Sequence, residues 1–196
     1  MQKRYFLLAI LFLVLFISCS EDKNSAPKPK TYFRLDVPLP SYQKFDTLGM
    51  PFVFEYPNYG IVESADGRFD NKNWFNINYP NYGCKLYISF LGINSKMSLG
   101  NLVNDSYNLT KEHDKFSSGV FERAYSNKEN KVYGYVFEIK GSKVVSPYQF
   151  YLTDSSRYFL RGALYFEASP NNDSLSPIIE RVTKDLDYMI STFEWR

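Results

Sequence analysis

The sequence is poor in the residues that most chemistry needs. It has one histidine and two cysteines in 196 residues. A zinc site would have to be assembled from His113, Cys84 and carboxylates, and no paired ligand spacing of the familiar kind is present. There is no Gly-x-Ser-x-Gly elbow, no phosphate-cradling glycine-rich loop and no dinucleotide fingerprint. Charge of one sign is also lacking. The 23 basic and 21 acidic residues differ only by Lys3 and Arg4 at the amino end, so the rest of the chain is balanced. That balance argues against bulk nucleic-acid binding, which depends on a strong positive excess. No apolar run after Ile17 approaches the roughly 20 residues of a membrane-spanning helix.

What is there begins with the leader. Lys3 and Arg4 precede an uncharged apolar run from Tyr5 to Ile17, and Ser18-Cys19 closes it. These are the proportions of a secretory signal, too short to span a bilayer. A cysteine directly at the cut looks like a bacterial lipobox, in which the Cys19 thiol is diacylglycerylated and the chain is cleaved before it. The competing readings are an ordinary signal with a chance cysteine and an uncleaved anchor. Each buried methylene contributes about 0.8 kcal/mol and one acyl chain anchors only marginally, so several chains on one residue would make attachment permanent. With Cys19 modified, Cys84 has no disulfide partner, and its apolar strand-like surroundings suit a buried inert thiol.

Three segments follow from this: residues 1–18 as lipoprotein signal, 19–30 as a lipidated flexible tether, and 31–196 as a single globular domain. Residues 20–30 are polar and proline-containing, the composition of an extended linker. The acidic Glu21-Asp22 pair has the form of an outer-leaflet export signal or of a plain solvated linker.

Hydrophobic periodicity gives the elements. Alternation marks strands at 51–57, 60–64, 74–79, 84–90, 120–126, 131–140, 144–154 and 157–168, with a hairpin turn at Asn127–Asn130. Tyr133, Tyr135, Phe137 and Ile139 share one face. The segment from Arg157 to Ala168 is apolar on both faces and should be a central, doubly covered strand. The period changes to three and four residues from a Ser98 N-cap through Leu99, Leu102, Ser106, Leu109, His113 and Phe116, and again after a Ser176 cap with Pro177 in the first helical position. The fold class is therefore α+β, a mostly antiparallel twisted sheet with two helices packed on it.

Candidate residues are few. His113, at the core edge of the first helix, reads as a packed structural histidine before a ligand or base. Glu55, Glu122, Glu138 and Glu167 lie on strands, where alternation routinely sets carboxylates on a wet face; a glycosidase pair is the rival reading. Arg161 is embedded in the greasiest strand and needs a partner: Glu138 or another sheet carboxylate if structural, an anion or partner carboxylate if functional. Asn104, Asn108 and Asn172 match the glycosylation pattern by chance. Aromatics are 18% of the chain; buried, they fill a sheet, and exposed, they would favour a glycan- or peptidoglycan-binding module.

Residues 27–36, 54–57 and 74–80, with 146–155, 159–166 and 170–175, form in their order and spacing a pattern that resembles the gliding-motility lipoprotein family GldD, from the signal to Trp195. The resemblance implies an outer-membrane lipoprotein needed for gliding and the associated type IX protein secretion, with envelope proteins of that machinery as partners. It carries over no catalytic residue and no cofactor or metal; only Cys19 acquires a defined role. The expectation is a non-enzymatic interaction module. The element order is also similar to the Mog1/PsbP-like α/β sandwich, an analogy that licenses no function.

Overall fold

The computed structural model describes residues 41–47, 49–64, 73–167 and 171–196. The chain divides into two compact units, Met1–Leu35 and Asp36–Arg196, and everything described belongs to the second. The leader, Cys19 and the tether lie outside the described residues.

Among the described residues, ten strands and two α-helices follow one another as β1 Tyr42–Phe45, β2 Phe52–Pro57, β3 Ile61–Ser64, β4 Trp74–Tyr79, β5 Cys84–Gly92, α1 Leu99–Asp114, β6 Gly119–Asn127, β7 Val132–Lys140, β8 Tyr148–Thr153, β9 Tyr158–Phe166, α2 Asn172–Ser191 and β10 Glu194–Trp195. Seven strands form one sheet in the order β3-β4-β5-β9-β8-β7-β6, and β1-β2-β10 form a second. Every pairing is antiparallel. The α+β class is as the periodicity gives it. The small sheet is additional, because β1 and β10 are too short for alternation to register and exist only by pairing with β2.

β9 occupies the middle of the large sheet, as its two apolar faces require. Leu160, Leu164 and Phe166 point into the main core, whereas Phe159 points into a second cluster under α1. The main core lies between the large sheet and a layer made of α2 and the small sheet. Phe45 stacks on Phe54 and Phe75 at 4.7 and 5.0 Å, and Phe52 packs on Phe193 at 5.5 Å. Aromatic pairs of this kind add about 0.5–1.5 kcal/mol beyond area burial. Gly162 belongs to the same layer: a Cβ there would fall 2.2 Å from the Phe150 ring, so the missing side chain is what admits that ring.

On the opposite face Leu102 of α1 packs on Phe137, Tyr151 and Phe159. Ser98 caps the helix, its Oγ accepting from the Asn101 amide at 3.3 Å. The helix covers β7, β8 and β9.

Two boundaries differ from the sequence reading by four residues or more. α2 starts at Asn172, before the expected Ser176 cap, and Pro177 sits inside it. The cause is tertiary: Asn172 Nδ2 donates to the Gly141 and Val144 carbonyls at 2.7 and 2.8 Å, which fixes the helix start on the 141–144 loop. The same loop delays β8 to Tyr148.

Candidate functional site

Strand pleat decides where the candidate residues go. Glu138 pairs in register with Tyr148 and Tyr148 with Leu164, on the face of the main core. Arg161 pairs with Tyr151 and Tyr151 with Tyr135, on the α1 face. The expected Arg161–Glu138 contact is therefore not formed, because successive residues of a strand face opposite ways and the two side chains lie on opposite sides of the sheet. Glu138 instead binds Lys140 at 2.9 Å.

Arg161 donates through Nη2 to Gln149 Oε1 at 2.5 Å. Burial disfavours its charge, and the nearby Tyr165 opposes the effect. Gln149 is 1% exposed; its oxygen also lies 3.4 Å from Thr110 Oγ1, and its Nε2 has no hydrogen-bond partner. Room for this pair comes from α1. Ser106 and Thr110 are small, buried and self-satisfied, donating to the Leu102 and Ser106 carbonyls at 3.0 and 2.9 Å. His113, one turn further on, has Nε2 3.3 Å from the Tyr165 hydroxyl. Burial, then the nearby Arg161 charge, hold its pKa below the ordinary value.

The remaining nucleophile and base candidates are engaged elsewhere. Cys84 is buried, and desolvation pushes its thiol up to about 12, with Glu167 adding to the effect. Glu55 accepts from Tyr188 Oη at 2.7 Å and Glu122 from Tyr107 Oη at 3.3 Å. Among the described residues no cluster of three or more His, Cys, Asp or Glu side chains could hold a metal.

Two networks were not legible in the sequence, since helical spacing does not say which carboxylate turns inward. Asp185 of α2 is 1% exposed. It accepts from Tyr42 Oη at 2.8 Å, from Tyr59 Oη, and from Arg181 Nε at 3.1 Å. Arg181 Nη2 lies 3.0 Å from the other oxygen yet lacks hydrogen-bond alignment, so its contribution is Coulombic. Burial first, then the Asp185 hydrogen bond, raises the Tyr42 phenol to about 12. Two residues on, Asp187 accepts from the buried Tyr148 hydroxyl at 2.6 Å and from Arg123.

The β3-β4-β5 half of the α1-side face carries no packed helix among the described residues. Trp74 and Tyr87 stand there 53% and 47% exposed. Glu63 accepts from Asn78 Nδ2 at 2.8 Å and pairs with Lys85 at 3.0 Å, so that cation is neutralised.

Solved structures with a similar arrangement include a cyanobacterial PsbP from Synechocystis, at 14% identity and a TM-score of 0.49 over 83% of this chain and 97% of that one. Another is the Ran-binding protein Mog1p of Saccharomyces cerevisiae, at 10% identity and 0.46 over 80% and 96%. No curated protein matches the sequence. The family model for the gliding motility lipoprotein GldD matches residues 22–195, and the chain therefore belongs to that family of gliding-motility-associated lipoproteins of the cell envelope.

Proposed function

We propose that this protein is a non-enzymatic component of the outer membrane, held there by acyl chains on Cys19, that supports gliding and the associated type IX secretion through contacts with other envelope proteins. The family match over residues 22–195 carries the reading. The leader ending in Ser18-Cys19 supports the anchor. The engaged state of the reactive side chains supports a binding role: Cys84 is buried, the one histidine is packed on Tyr165, and Glu55 and Glu122 are taken up by tyrosines.

Replacing Cys19 by Ala tests it. The variant is expected to lose fatty-acid labelling and sediment away from membranes, with spreading and secretion lost at normal protein levels. A variant that stays membrane-bound and fully motile would refute the anchored role. Crosslinking in intact envelopes should recover the wild-type chain bound to other envelope proteins.

A further inference from the structure

The uncovered half of the α1-side face has a defined geometry. Ser89 of β5 lies between Trp74 of β4 and Arg161 of β9 in one cross-strand row. Adjacent strands are about 4.8 Å apart, so Trp74 and Arg161 arise roughly 10 Å from each other across a small hydroxyl-bearing floor. Tyr87, two residues before Ser89 on the same face, closes a third side, and Tyr165 packs edge-on against it at 5.5 Å. The rim is thus two exposed aromatic rings, with the partly buried Arg161 at the border with α1 and one of its nitrogens turned to Gln149.

The charge on this face is uneven. Lys85 is neutralised by Glu63, whereas Arg161 meets only an amide oxygen among the described residues. Gln149, nine-tenths buried and more, holds that guanidinium from behind and keeps an unpartnered N–H beside it. That amide nitrogen is itself out of reach of solvent, so the contacts open to a ligand are the guanidinium N–H groups not turned to Gln149. The guanidinium fork suits a carboxylate held through two parallel hydrogen bonds. His113 is held uncharged-leaning by burial and adds no second positive charge, so the site complements one negative charge rather than the nearly two of a phosphate monoester.

We infer that this face is a binding site for a carboxylated sugar, with Trp74 and Tyr87 stacking on the ring and Arg161, backed by Gln149, receiving the carboxylate. The inference goes beyond the gliding and secretion role and does not depend on it.

Calorimetric titration of the detergent-solubilised full chain with tetragalacturonate, its fully methyl-esterified form and tetraglutamate tests the site. Tetragalacturonate is expected to bind at least tenfold more tightly than either of the others. Arg161→Gln should abolish the preference over the ester. Trp74→Ala, at an exposed position that folding does not depend on, should weaken both sugar forms together. Equal affinity for acid and ester, no binding of tetragalacturonate at millimolar concentration, or unchanged affinity in Trp74→Ala would overturn the inference. So would tetraglutamate binding as tightly as the sugar, which would make this a contact for an acidic protein.

Discussion

Asp185 offers the sharpest test of how this fold is held together. Its carboxylate is the acceptor for hydroxyls from β1 and from the turn after β2, and it neutralises Arg181 from its own helix. Replacing it by Ala strands a guanidinium whose side chain is 18% exposed and leaves two phenols to find new acceptors. Breaking a buried ion pair from one side costs about 3–5 kcal/mol. For a domain of this size each kcal/mol lowers Tm by roughly 2–4 °C, so a fall of about 6–20 °C is expected. Asp185→Asn keeps an oxygen acceptor and loses the charge, so its cost should approach the roughly 1.5–3 kcal/mol of a charge-assisted hydrogen bond. The double variant Asp185→Leu/Arg181→Met should recover most of the loss, because apolar replacement of both partners is often neutral. Urea unfolding followed by tyrosine fluorescence measures all three. If Asp185→Ala costs under about 1 kcal/mol, or the double variant is no better than the single, the network does not hold α2 to the small sheet.

Other consequences can be measured directly. Gly162→Ala drives a methyl into the Phe150 ring, which is 1% exposed and cannot swing away; a loss of about 3 kcal/mol is expected, at the upper end for overpacking. Phe150→Leu in the same chain should return part of it, and an unchanged midpoint in Gly162→Ala would contradict the packing. Cys84, with its thiol raised to about 12 by burial, should resist maleimide at pH 8 until the chain is denatured, and rapid labelling of the native protein would show it accessible. His113 has its folded-state pKa below the unfolded value of about 6.5. The unfolded chain binds the proton more readily, so this stabilisation is complete above about pH 6.5 and is lost as pH falls through the lowered folded value. Melting curves from pH 8 to 5 should therefore flatten in His113→Gln, and identical slopes would remove the histidine from the account.

Much of the large sheet was legible because its strands are long and alternate cleanly. Tyr133, Tyr135, Phe137 and Ile139 share the α1 face as read, and the two greasy sides of β9 gave its central place. The Ser98 cap was equally clear, since Ser before a three-four pattern has a local cause. What failed had non-local causes. Tyr42-Gln43-Lys44-Phe45 carries too little alternation to read as a strand until β2 is beside it. Asn172 starts a helix because two distant carbonyls hold its amide. Arg161 and Glu138 are of opposite charge, but pleat parity across three strands had to be counted before their pairing could be rejected. Aromatic content did not separate core from surface either: Trp74 is exposed while its neighbour Phe75 is buried, and only the register distinguishes them.

The small sheet also sets a schedule. Its middle strand, at 52–57, takes one neighbour from just upstream and the other from 194–195. A polypeptide emerging amino end first keeps that strand open on one edge until residues 193–195 are made, with Phe52 lacking the Phe193 and Trp195 rings that later enclose it. Completion waits until residues 194–195 are made, and contacts so distant along the chain form slowly. The unfinished body stays pliable until those residues arrive to close it.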